Sequence, residues 1–263
     1  MQSCLARLYV DDDFRATFLD DPAVALACCD VAAAEAAAIT AIDRRMLVAF
    51  VATLYTKRKK RFVRAYPASF AWHEPELDAV LQRFLQVHGT RPGAGQVDVH
   101  DFGCFAEREP ALDGAAADLV RFERLSHDAT MADPEPPGPW DVRRPGPHDV
   151  PLRVPGVLVD DFDYDVVGLD AALRAGESVD VAPPDATTLV LLPGPVDGEQ
   201  RILRMNGAAA MVLYLCDGRT VAGIVDAVET RLATPDLADP IRDAVQRLAE
   251  LHIVSLSPRS SGP

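Results

Sequence analysis

The chain has no Cys-x-x-Cys pair, and its five cysteines (Cys4, Cys28, Cys29, Cys104 and Cys216) are odd in number. That excludes a fully paired disulfide framework and a local zinc knuckle, and it fits a reducing, cytoplasmic setting. The six histidines show neither the i, i+4 nor the His-x-His spacing of a local metal site. No apolar run approaches the roughly 18–20 residues that span a bilayer. The acidic run Asp11 to Asp13 comes early, with no apolar core of a signal peptide around it. Positive charge is also scarce: 26 Lys and Arg stand against 40 Asp and Glu, a net charge of −14. A nucleic-acid binder needs a basic face to replace phosphate counterions, so that class is disfavoured. Nucleophile elbow, P-loop and dinucleotide fingerprint are all missing. Gly93-Ala94-Gly95 has no strand before it and no helix signal after it, and reads as a loop. With no self-contained catalytic constellation, the sequence points to a binding role.

What is present is a core-forming chain, 49% hydrophobic and rich in alanine. Residues 1 to about 130 read as helical. Leu5, Leu8 and Tyr9, then Phe14, Phe18 and Leu19, recur at helical spacing around an acidic turn. Pro22 is placed to start a helix, and Asp43 to cap the next long one, Arg44 to about Tyr66. Met46, Leu47, Phe50, Val51 and Leu54 predict an apolar stripe along it, and Pro67 is expected to end or kink it. Helices are also expected over about 76–88 and 115–126, separated by a loop over 89–95. Cys28 and Cys29, in an apolar stretch, read as buried structural thiols.

Residues 133–150 hold six prolines and are expected to form an extended linker between domains of 1–132 and 151–257, with 258–263 as a disordered tail. Beyond the linker, 157–159 reads as a strand and 164–174 as a short helix. Thr187–Leu192 and Gln200–Met205 pair as a hairpin. Gly207 to Cys216, a helix capped by Thr220, and a helix over about 240–252 follow. The fold class expected is α+β: a helical N-terminal domain, then a winged-helix-like domain with a small antiparallel sheet and three helices.

The segment LRMNGAAAMVLYLCDGRTVAGIVDAV, with RLAELHIV after it, resembles the recognition element of ribosomal peptide modification systems. The small peptide chaperone of pyrroloquinoline-quinone biosynthesis is the type case. LARLYVDDDFRATFLDDP, LVAFVATLYTKRKKRFVRAYP and LVRFERLSHDA resemble the helical domain of partner proteins of multinuclear iron-dependent oxidative enzymes. Those enzymes are TIM barrels that modify ribosomally made peptides.

The resemblance implies a non-catalytic subunit that binds a precursor peptide's leader and presents the peptide to such an enzyme in a heterodimer. Any iron would belong to the enzyme and no cofactor to this chain. Neither nucleic acid nor membrane is expected as a partner. The leader would add a strand beside Gln200, Arg201, Ile202, Leu203, Arg204 and Met205, in the cleft formed with the last helix, where Arg242, Gln246 and Arg247 would meet it. Either Ile202 or Leu203 would be the apolar anchor. The densest basic run, Lys57, Arg58, Lys59, Lys60, Arg61 and Arg64, suits the negative end of its helix dipole. Within it Lys57, Arg58, Lys60, Arg61 and Arg64 are the candidate docking surface for the enzyme. Two rival readings stay open: a winged-helix DNA-binding regulator, and an enzyme with a metal site assembled from scattered His, Asp and Cys.

Overall fold

The computed structural model describes residues 2–88, 95–112, 114–132, 143–182, 184–194 and 201–257. The architecture is α+β, and the chain divides into two compact units: Met1–Arg124 with Leu169–Val179, and Leu125–Gly168 with Asp180–Pro263. The division falls within the expected helical domain, and a short later segment returns to that domain's unit. The tail 258–263 and residues 133–142 of the expected linker lie outside the described residues.

The first unit is built from helices: α1 Gln2–Val10, α2 Asp12–Asp20, α3 Pro22–Ala27, α4 Ala33–Thr40, α5 Arg44–Ala65, α6 Pro67–Trp72, α7 Glu74–His88, α8 Gly95–Ala106 and the first part of α9 Gly114–Met131. Aspartates supply the starts. Asp11 accepts from the Phe14 amide at 2.8 Å, Asp21 from Ala23 at 2.9 Å, and Asp43 from Arg45 at 2.8 Å. Two apolar clusters result. One joins Leu8, Phe14, Phe18, Ile39 and Leu47. The other gathers Phe62, Tyr66, Phe70 and Phe84 around Phe102, with Phe62 and Tyr66 edge-on to Phe102 at ring distances of 5.0 and 5.3 Å.

Two expectations for this unit need correction, and one helix lies beyond them. The α5 stripe is only partly inward: Leu47 is buried, but Met46 is 69% and Phe50 48% exposed. A helix 22 residues long turns its apolar positions over a wider arc than one neighbour can cover. Cys28 is exposed and Cys29 half-buried; the buried thiols are Cys4 and Cys216. Helix α8 was not expected at all, since Gly95, Gly103 and two valines weaken the helical signal in GQVDVHDFGCFA.

In the second unit, β1 (Val150–Arg153) and β2 (Leu158–Tyr164) precede α10 (Val166–Arg174), which runs from this unit into the segment grouped with the helices. Then come β3 (Pro184–Leu192), β4 (Arg201–Met205), α11 (Gly207–Tyr214), α12 (Val221–Leu232), α13 (Ala238–Glu250) and β5 (Val254–Ser257). The described residues form two antiparallel sheets. One has the order β2-β3-β4, and the other pairs β1 with β5. β3 is central, and its residues Thr188 to Leu192 are all buried, as a continuous β-branched and leucine run requires. β4 pairs on one side only, Val190 opposite Leu203 and Thr188 opposite Met205. Its other edge carries no strand partner among the described residues.

Helix starts are again capped by side chains: Asn206 accepts from Ala209 at 2.8 Å, and Thr220 from Gly223 at 3.2 Å. α13 is strongly amphipathic, burying Ile241, Val245, Leu248 and Ala249 against α11 and α12. Residues 143–149, within the expected extended linker, are bonded inside this unit. Arg143 grips Asp149 at 2.6 and 2.8 Å, and the carbonyls of Pro147 and Asp149 each accept an amide from the first turn of α12 at 2.9 Å. This tether satisfies helix-terminal donors and leads directly into β1. A four-residue strand containing Pro151 gives little period-two signal, so β1 escaped sequence reading.

A cleft between the edge strand and the last helix

A cleft of about 250 Å³ opens between β4 and α13. The edge strand supplies Leu203 and Met205, both half-buried. Ala209 enters from α11, and Ala244, Leu248 and Leu251 come from α13 and its end. These α13 positions recur at i, i+4 and i+7, so one helix face makes the apolar wall. Asn206 and Ile253 close the ends, and Arg247 stands on the rim, 75% exposed and 3.3 Å from Glu250. The result is an apolar trough beside an unpaired strand edge.

Leu203, Arg204, Met205 and Arg247 line this cleft. Of the two proposed anchors, Leu203 lines the cleft together with Met205, two residues on, and Ile202 does not. The Arg204 guanidinium is engaged within the unit, bonding Asp185 at 2.9 Å and Asp165 as well. Desolvation works against its charge, but the bonds to the two carboxylates outweigh it and raise its pKa. Arg201 is exposed at the start of β4 and does not line the cleft. Arg242 sits 3.5 Å from Asp239, and Gln246 donates to Glu250 at 3.1 Å. Those two residues, four apart, occupy a face of α13 turned away from the cleft. Gln200 lies outside the described residues.

Sequence reading missed Asn206, Ala209, Ala244 and Ile253 as lining residues. Small residues on α11 and α13 carry no chemical signal. Their spacing opposite a strand edge was the one available clue.

On α5 the basic residues separate by orientation. Lys57, Lys60, Arg61 and Arg64 are exposed, with Arg61 lying 3.5 Å from Asp98. Lys59 is tied to Glu74 at 2.9 Å and Asp78 at 2.7 Å. Arg58 is half-buried, and its Nη2 has no hydrogen-bond partner. Among the described residues no group of three or more His, Cys, Asp or Glu side chains is placed to hold a metal ion. No described helix is long and apolar enough to cross a membrane.

No curated protein matches the chain. Among protein families, residues 189–254 match coenzyme PQQ synthesis protein D (PqqD). The match covers about a quarter of the chain, running from within β3 through β4 and the three helices to the first residue of β5. Every residue lining the β4–α13 cleft lies within this matched segment.

Proposed function

We propose that this chain is a non-catalytic subunit that binds the leader of a ribosomally made precursor peptide and presents the peptide to an iron-dependent oxidative enzyme, with which it forms a heterodimer. The observation that carries the peptide-binding part is the unpaired edge of β4 beside an apolar trough, inside the PqqD-type match. An added strand takes its affinity from backbone hydrogen bonds along that edge. Leu203, Met205 and the α13 wall supply specificity by accepting alternate apolar side chains. Gln200 and Arg201 would extend the edge, and Arg247 would meet an acidic leader residue at the rim.

Holding the leader away from the reacting residue raises that residue's effective concentration at the enzyme, so a subunit without catalytic groups can govern turnover. The exposed cations Lys57, Lys60, Arg61 and Arg64 are the docking surface in this reading, attracting an acidic face of the enzyme. Any iron resides in that enzyme and not in this chain.

The test is co-expression with the products of neighbouring genes. The expected result is a ternary complex of chain, iron-loaded enzyme and precursor peptide. Leu203→Asp should release the peptide and leave the enzyme bound. Peptide affinity unchanged by Leu203→Asp would sink the strand-edge site. Failure of any iron protein to co-purify would sink the partner assignment alone.

A further inference from the structure

A second cavity, of about 310 Å³, lies in the helical unit between the first half of α5 and the end of α7. Its size is at the small end of the range of small-molecule sites, roughly 300–1,000 Å³. Val48, Val51, Leu54 and Leu85 make its walls, with Tyr9 at one side. Phe50 packs edge-on against Tyr9 at 5.1 Å and remains 48% exposed, so apolar surface continues past the mouth.

Among the described residues no carboxylate lines this cavity, while Arg15 and Arg58 do; Arg15 donates to the Leu8 carbonyl at 3.1 Å. One terminal nitrogen of the Arg58 guanidinium is buried without a hydrogen-bond partner. Asp98 is the nearby opposite charge, but it is placed 3.5 Å from Arg61. Burial pulls the Arg58 pKa below its usual value, and Asp98 offsets this only in part. A guanidinium nitrogen buried with its donors unmet is costly unless something supplies the acceptor.

We propose that this cavity binds a carboxylate carried on an apolar body, the acid on Arg58 and the hydrocarbon against Val48, Leu54 and Leu85. The site lies in the helical unit and shares no lining residue with the β4–α13 cleft. The same chemistry can arrive as a free amphiphilic acid or as an acidic side chain beside leucines on another protein.

Octanoate and octanamide are the probes, titrated into the full-length chain and followed through the methyl signals of Val48, Leu54 and Leu85. Octanoate should bind at least about tenfold tighter than octanamide, since only the acid brings an opposite charge, and two equivalent acceptor oxygens, to the guanidinium. Arg58→Met, which keeps most of the aliphatic stem, should erase that preference, and Arg58→Lys should retain part of it. Val48→Glu, at a half-exposed position, places a carboxylate at the mouth and should weaken octanoate even if Arg58→Met fails to fold. A 12-residue peptide centred on Leu-Leu-Glu separates the sources: tighter binding than octanoate assigns the site to a protein side chain, weaker binding to a free acid. Equal affinity for acid and amide, or octanoate binding that leaves the three methyl signals unmoved, would overturn the proposal.

Discussion

The Glu123 carboxylate accepts a 2.6 Å hydrogen bond from the Ser69 hydroxyl, 54 residues earlier in the chain. It also accepts the amides of Ala68 at 2.8 Å and Ser69 at 3.0 Å. These are orphan donors of the first turn of α6, whose own N-cap, Tyr66, makes no side-chain capping bond to them. Glu123 on α9 thus caps α6 from outside it, with the side chain only 1% exposed.

Burial pushes the Glu123 pKa up to about 7 from its ordinary 4.5; the bonds from Ser69 and Ala68 pull it back in part, and Asp170 adds to the rise. Between those two pH values the folded chain holds a proton that the unfolded chain has released. The group's contribution to stability is therefore complete below about pH 4.5 and is lost as pH rises through 7. The loss is on the order of 3 kcal/mol. Glu123→Gln has no such titration. Denaturant unfolding of both proteins at pH 5 and pH 7.5 should show the natural chain losing stability relative to the variant. A stability difference that is the same at both pH values would refute this.

Gly103 in α8 passes so close to Tyr66 that a Cβ would collide with the Tyr66 hydroxyl and stand 2.7 Å from Arg124 Cδ. That hydroxyl is committed, donating to the Val99 carbonyl at 2.6 Å in a fully buried position. Gly103→Ala should destabilise by about 1–3 kcal/mol through overpacking. Tyr66→Phe removes the obstructing oxygen, so the double variant should recover part of the loss, with a coupling of roughly 1 kcal/mol. Strict additivity of the two changes in thermal unfolding would show that the close approach is not what makes Gly103 necessary.

These two contacts show which parts of the fold were legible in advance. Asp43 and Thr220 cap the helices that periodicity predicts, because capping and periodicity are local properties written within a few residues. The β3–β4 hairpin and the amphipathic α13 are legible for the same reason. What stays hidden is tertiary. The spacing of Glu123 says nothing of α6, and Gly103 lowers the helical signal of α8 at the very place where close packing needs it. The cleft was half legible: strand, helix and their opposition follow from element order and the family resemblance. Which arginines could meet a ligand there does not, because Arg204, though it lines the cleft, is taken up by Asp165 and Asp185, and Arg242 turns aside.

The thiols should differ sharply in reactivity. Cys28 is exposed, 3.8 Å from Arg7 Nη1, whereas Cys216 is 2% exposed and bonds the Val212 carbonyl at 3.3 Å. Burial, aided by Asp217 and opposed by Arg153, pushes the Cys216 pKa up to about 12. Burial, with bonds among Cys4, Cys28 and Cys29, takes Cys29 up to about 11. Only the thiolate attacks, so iodoacetamide at pH 8 should label Cys28 first and Cys216 roughly a hundredfold or more slowly. Peptide mapping of a labelling time course checks this. Equal rates at Cys28 and Cys216 in the native chain would contradict the burial assigned to Cys216.

The cleft offers a discriminating set of substitutions, each made in the complex with precursor peptide. Ala209 sits in the cleft near the start of α11, half-buried. Ala209→Leu should fill the trough and weaken peptide binding about tenfold while leaving the fold intact, since the added methyl groups enter open space. Arg247→Glu on the rim should weaken binding several-fold, with an effect that fades as salt rises, because both charges are exposed and screened. Arg242→Ala should leave affinity within about twofold, because Arg242 does not line the cleft. Isothermal titration at two salt concentrations reads all three. The strand-edge assignment fails if Arg242→Ala weakens the peptide more than Ala209→Leu does, since the peptide would then lie on the opposite face of α13.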